Sequence, residues 1–448
     1  MPVQPSPGRP SSVPAPAAPR PSALAPPAVP PFVPLANPVR DYAWGSTTAI
    51  PALTGTPPTG APQAELWMGA HPSAPSLLDT GRGPRPLDRL IADAPAELLG
   101  PDTVRRFGPR LPFLFKVLAA DRALSLQVHP TRAQAEAGWD AEESRGVPAD
   151  APERVFKDRD HKPELICALG DFEALCGFRP AGATAALFDR LAVPPLAPWA
   201  AALRDRPAAE VLPALLRHVL ADARPGPADL AAVTAALHRT AAEGGPFAEA
   251  CAGYARAAGD YPGDPGLIAA LLLNHVRLRA GEALALDAGV PHAYLRGVGV
   301  ELMANSDNVL RCGLTAKHID VDGLLAVTAF RTGEPPVLTA HAPEGNGAAT
   351  GDRTATGIGI GIGIEEQFPS PAAEFRLSML RPTAAPARID LADAPQILLC
   401  TAGRARLRTP AGHALDLPRG RSAYLRPGTD PVHLTGPGAE LFRATVGD

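Results

Sequence analysis

The strongest constraint in this 448-residue chain is a change of period. From about residue 181 to 272 it is rich in alanine and leucine. Within that block, EVLPALLRHVLADA and ADLAAVTAALHRTAAE repeat apolar positions at helical spacing. Prolines and glycines cut the block into four to six expected helices. The flanks read differently. Leu111–Pro130 predicts two strands about a turn at Ala120–Arg122, His161–Pro180 predicts another pair, and strand texture returns at Val276. This order predicts a β domain into which a helical module is inserted.

The ends are of other kinds. Residues 1–36 are mostly proline, alanine and serine, and the first acidic residue is Asp41. Such a segment buries too little surface to fold, so a disordered tail with polyproline II character is expected. From Glu374 onward, short strands with turn signals every ten or so residues predict a small antiparallel barrel or sandwich. The GIGIGIGI repeat at 357–364 reads as a low-complexity linker or surface loop. The expected segments are a tail (1–36), a first β part (37–180), the helical insertion (181–272), a second β part (273–335) and a C-terminal β domain (336–448).

Bulk properties exclude several classes of function. Hydrophobic residues make up 46% of the chain and the formal charge is -4, so neither nucleic acid nor a membrane is expected as the main partner. The five cysteines are widely spaced with no CxxC pair, which argues against a disulfide framework or a cysteine zinc site and fits a reducing cytoplasm. No apolar run reaches the roughly 18 residues that span a bilayer, and the start lacks a secretory pattern, so a soluble cytoplasmic protein is expected. A glycine-rich phosphate-cradling loop at the start of a Rossmann-like unit is also missing, which sets a fused nucleotidyltransferase aside.

Chemistry concentrates in Gly289–Asp320. His292 and Tyr294 stand two apart, so on a strand they share a face, and Glu301, Asp307, Arg311 and Lys317 follow closely. Gln127 and His129 share a strand face in the same way, and Lys162 lies two residues before Glu164. Gln127, His129, Glu164 and His292 together suit a borderline divalent ion such as Zn²⁺ better than Mg²⁺, which prefers more oxygen ligands. Each signal alone is weak. A histidine in an apolar stretch is usually a hydrogen-bonded core residue, and Glu164 after a proline reads equally as a surface turn. The set carries weight only if its segments meet in one barrel.

These residues carry a family resemblance. QVHP, HKPEL, FEALCGFR and GVPHAYLRGVGVELMANSDNVLRCGLTAKHID resemble motifs of the type I phosphomannose isomerases, as do YAWGS and AELWMGAHPSAPS. The blocks run from Asp41 to about Asp320 in family order. The tail and the GIGI repeat fall outside the resemblance, and the C-terminal part matches only in texture. It implies a mainly β fold: a cupin-type jelly-roll catalytic barrel with an inserted helical domain, and a second, cupin-like barrel at the C-terminus. It also implies one zinc per chain on Gln127, His129, Glu164 and His292, and reversible conversion of mannose 6-phosphate to fructose 6-phosphate through an enediol. A small-molecule sugar phosphate and a monomer are then the expectations.

The resemblance places the catalytic arginine at Arg311, whose planar guanidinium suits an enediolate or a phosphate. The residue-level alternative is an ion pair with Asp307 or Glu301 that braces a loop. Lys162 and Lys317 add positive charge, Ser125 and Trp44 are expected to contact substrate, and Tyr294, Glu301 and Asp307 match family positions lining the pocket. Glu301, Asp307, a desolvated Lys162 and zinc-bound water all remain candidates for the base. His71 is expected near the pocket, and His161 and His318 beside the functional lysines. The alternatives are a catalytically silent sugar-phosphate-binding cupin and an iron-dependent cupin oxygenase.

Overall fold

In the computed structural model, residues 29–342 and 365–447 are described, apart from 82, 371, 390–393 and 429–430. The GIGI repeat and residues 1–28 lie outside them. The architecture combines helices with three antiparallel sheets. The largest has eleven strands, and its spine runs Glu282–Leu286, Glu164–Ala168, His292–Ala304, Phe113–Ala120 and Glu65–Gly69. At its centre FLFKVLAA is buried at every position, because both faces of this strand are covered. Phe113, Phe115 and Val117 join a core shared with Val33, Leu35, Ile397, Leu399 and Phe442 of the eight-stranded sheet. Leu114, Lys116 and Leu118 point the other way, into a cleft. Within the C-terminal part the same logic recurs: Ile397 and Leu399 face that shared core, while Leu398 and Cys400 pack on the four-stranded sheet through Leu407, Leu417 and Leu434. Two buried faces explain the unbroken apolar run ILLC.

The thirteen-residue strand His292–Ala304 turns a corner. Its first residues pair with Phe172–Phe178 and Leu126–Val128, whereas Gly297–Ala304 pairs with Phe113–Ala120. The register slips between Tyr294 and Arg296, and Gly297 follows at φ 126°. A Cβ there would lie 2.7 Å from the Asp171 carbonyl oxygen. Gly297→Ala is therefore expected to cost about 3 kcal/mol or more, from backbone strain plus overpacking. A lower urea midpoint at unchanged slope would show it; a loss under about 1 kcal/mol would mean that the corner tolerates a side chain.

Six α-helices lie between Ala181 and Ala270, around a core of Leu187, Phe188, Leu215, Leu237 and Tyr254. The last, Gly266–Ala270, abuts strand Leu310–Gly313, where a Cβ on Gly313 would stand 2.3 Å from the Gly266 Cα. The two glycines let the helix seat against the strand that carries Arg311. Nearby, Asp260 accepts from the Ala123 amide at 2.9 Å and Asp264 from the Thr315 amide at 2.8 Å.

One boundary differs from the sequence reading. Residues 32–36, expected in the tail, form a strand of the eight-stranded sheet, with Phe32 opposite Leu425. Proline content hid a strand held between Leu77–Asp79 on one side and Ser422–Leu425, almost 400 residues away, on the other. Among the described residues, no helix is long and apolar enough to cross a membrane.

Candidate active site

Cross-strand register assembles the site. Gln127 stands directly opposite His292 on one side and Arg311 on the other, so a single row holds an amide, an imidazole and a guanidinium. Glu164 faces Met303, and Glu301 faces Lys116. His129, Glu164 and His292 converge so that their ligating atoms lie within 4.8 Å of one another, and all three are buried. His129 Nε2 is 3.3 Å and His292 Nε2 3.4 Å from the two Glu164 oxygens. Gln127 brings its amide to 3.3 Å from His292 Nε2. The strand begins only at Glu164, so Lys162 reaches the Glu164 carboxylate from the preceding loop, at 3.2 Å.

The ring orientations are fixed from behind. His129 Nδ1 lies 2.7 Å from the Asn308 carbonyl and His292 Nδ1 2.9 Å from that of Val290. Each Nδ1–H donates to its carbonyl, leaving both Nε2 lone pairs aimed at the centre, as metal-binding imidazoles require. Burial pushes the His129 ring down to about 4, against the pull of Glu164, so the ring is neutral near pH 7. Burial pushes the Glu164 carboxyl up, but Lys162 and the two histidines outweigh it and hold it well below the carboxylate range. His129 Nε2 and Glu164 Oε2 are buried without a hydrogen-bond partner. Polar atoms are seldom buried in that state without a ligand to satisfy them. Two neutral imidazoles, a carboxylate and an amide that can turn its oxygen inward fit Zn²⁺.

Beside this cluster opens a cleft of about 370 Å³. Trp44, Ser125, Gln127, Lys162, Glu164, Tyr294, Glu301, Asp307, Arg311 and Lys317 all line it, while His129 and His292 sit at the back of the ligand cluster. The expected metal, substrate and proton-transfer residues are thus drawn to one place, whereas His71, His161 and His318 do not line the cleft. Arg311 makes no ion pair among the described residues; burial alone lowers its pKa, so it braces neither Asp307 nor Glu301. Burial, and then Arg311 itself, lowers that of Lys317. Two cations side by side without an acid between them form a site for an anion.

The three carboxylate or amine candidates for proton transfer are differently held. Glu301 accepts from Tyr294 Oη at 2.8 Å and from Lys116 Nζ at 2.9 Å; burial raises its pKa more than Lys116 lowers it. Asp307 is exposed and pairs with His71 at 3.2 Å, and that contact keeps it anionic. Lys162 is tied to Glu164. His161, by contrast, turns away to Glu374, and His318 is exposed.

Among the lining residues that escaped the sequence reading, the ones with chemistry to offer include Glu65, Trp67, Lys116 and Tyr261. The first three form a buried cluster, with Lys116 also 3.7 Å from Glu65, and Trp67 Nε1 donating to Glu65 at 2.7 Å. The available signal was the single lysine in FLFKVLAA. Burial alone would lower the Lys116 pKa, but Glu301 and Glu65 raise it strongly, so the ammonium is kept. Lys116→Met would strand two buried carboxylates and is expected to cost about 3–5 kcal/mol. Urea unfolding at pH 7 measures this, and a loss below 1 kcal/mol would show that the three groups are uncoupled.

Comparison with known proteins agrees with this geometry. The description "phosphomannose isomerase type I, catalytic domain" matches residues 32–181. Mannose-6-phosphate isomerase of Salmonella typhimurium is 39% identical over 407 residues, covering 90% of this chain and 97% of that protein. The chain belongs to the type I phosphomannose isomerase family. The Mus musculus mannose-6-phosphate isomerase is 31% identical, over 88% of this chain and 92% of its own. A solved structure of mannose 6-phosphate isomerase in a zinc-bound holo form is 36% identical with a TM-score of 0.79, covering 93% of this chain and all of that one. A phosphomannose isomerase mutant from Salmonella typhimurium superposes with a TM-score of 0.81 at 35% identity, again over 93% and 100%. The mixed fold of helices and antiparallel sheets is therefore that of this family.

Proposed function

We propose that this chain interconverts mannose 6-phosphate and fructose 6-phosphate with one zinc ion held by Gln127, His129, Glu164 and His292. The observation that carries the reading is a buried ligand set with unsatisfied atoms, sharing one cleft with Arg311 and Lys317, two cations that make no ion pair among the described residues. Relatives named for this reaction, and a zinc-bound relative of the same fold, support it. We also read residues 37–180 with 273–335 as a cupin-type barrel interrupted by the helical insertion (181–272), and 336–448 as a second barrel.

Aldose–ketose interconversion moves a proton between C2 and C1 through an enediol, so charge develops on the adjacent sugar oxygens. Zinc, when bound, supplies Lewis-acid polarisation and a fixed positive charge beside those oxygens. Arg311 stabilises the same charge from the neighbouring strand, at a group already desolvated and in position before the reaction starts. Lys317 and Ser125 hold the phosphate, while Trp44 and Tyr294 wall the sugar and limit water. Glu301, Asp307 and Lys162 have the chemistry to carry the proton. Glu301, with Tyr294 and Lys116 both donating to it, is oriented most firmly.

The test is a coupled assay of mannose 6-phosphate turnover, before and after chelation and again on zinc return. Activity should vanish and come back. Zinc-loaded protein without turnover would make the chain a silent sugar-phosphate binder, and activity untouched by thorough chelation would remove zinc from the reading.

A further inference from the structure

Outside the cleft, a partly buried charge network joins the C-terminal part to the loop that delivers Lys162 and Glu164. Glu374 precedes strand Arg376–Leu380 of the eight-stranded sheet and is buried. Its Oε1 accepts from His161 Nε2 at 2.7 Å and from Arg132 Nη2 at 2.9 Å. Arg132 continues to Asp160, which Arg110 also pairs. The far end of the loop is knotted as well: the Asn308 side chain donates to the carbonyls of Asp158 and Asp160 at 2.9 and 2.8 Å. Asn308 also supplies the carbonyl that orients His129.

We propose that Glu374 is a positioning residue for the metal site, acting through His161 on Lys162 and Glu164. The link is short and stiff. Only Lys162 and Pro163 separate His161 from Glu164, proline fixes its own φ, and the residue before a proline is confined to extended conformations. Fixing the His161 ring therefore fixes the direction in which Lys162 and Glu164 leave the loop. Lys162 then holds the Glu164 carboxylate at 3.2 Å. The Glu374 carboxyl is pushed up by burial and brought back down by His161 and Arg132, so it is anionic and its bonds are charge-assisted. An acid from the C-terminal sheet thus completes the support of a ligand on the catalytic sheet, which gives the second β unit a part in the chemistry.

This inference rests on the zinc reading, and the experiment separates the two. Zinc affinity is measured by competition with a chromophoric chelator, first on the native full-length chain. If the native chain takes up no zinc, the zinc reading fails and this inference falls with it. If it binds zinc, Glu374→Ala is expected to weaken affinity about tenfold, the scale of outer-shell effects on metal sites. Glu374→Gln, which keeps the shape and an acceptor but not the charge, is expected to weaken it about threefold. Arg106→Ala is the control: Arg106 donates to the Gly447 carbonyl at 2.9 Å and to the Ala373 carbonyl at 3.5 Å across the same contact between the two parts. It should bind zinc as the native chain does. Native affinity in Glu374→Gln overturns the proposal, even should the alanine variant not fold. An equal loss in Arg106→Ala also overturns it, because Glu374 would then only staple the two parts together.

Discussion

Arg311→Ala is expected to bind zinc as the native protein does while losing turnover by roughly 10²–10³-fold, about 3–4 kcal/mol of transition-state stabilisation. No carboxylate faces Arg311 among the described residues, and only burial acts on its pKa. It lines the cleft from the position opposite Gln127, one strand across from the proposed metal ligands, without being one of them. Removing it therefore opens no gap among the ligands and leaves no buried carboxylate unpaired, so metal content and stability should hold. What disappears is a preorganised charge at the sugar oxygens. The kinetic pattern identifies its role. A fall in kcat with KM little changed assigns Arg311 to the developing enediolate, whereas a raised KM at native kcat assigns it to ground-state phosphate binding. Native values of both would remove it from the mechanism. Arg311→Lys should recover only part of the loss, because a point charge does not reproduce a planar fork.

Part of the cleft lining was legible in the sequence because some of its residues stand at short spacings. His292 and Tyr294 lie two apart on one strand, and Gln127 sits on strand Leu126–Val128 with His129 just past its end, so a period of two keeps each pair on one side. The helical block was legible for the same local reason, since its apolar period needs no distant partner. What composition and spacing could not supply was register. Lys116 meets Glu301 only because strands 185 residues apart in sequence pair at that position. Glu65 and Trp67 arrive on a third strand. The support given by Tyr261 and Asp264 comes from the far end of an insertion whose own pattern says nothing of what it touches. The strand Phe32–Ala36 was misread for a related reason: its proline-rich sequence resembles the tail before it, and pairing with Ser422–Leu425 on one side and Leu77–Asp79 on the other makes it a strand. Local period reveals what faces a site, and long-range pairing decides which site it is.

Removal of a proposed ligand should give the opposite signature to removal of Arg311. His292→Ala is expected to lose metal and activity together, with zinc affinity falling by about 100-fold or more, beyond the range of outer-shell changes. His292 presents Nε2 to the cluster because Nδ1 is spent on the Val290 carbonyl two residues back. Its loss also leaves the buried Glu164 carboxylate with Lys162 as a charged partner and the neutral His129 ring beside it. Mass action then supplies a distinguishing test. Because the defect is one of occupancy, activity per bound zinc should change far less than activity per chain, and rising zinc should restore part of the turnover. Arg311→Ala should not respond to added zinc at all. A His292→Ala protein that kept stoichiometric, tightly bound zinc would move the metal to another set of residues, and the arginine argument would have to be rebuilt around that position.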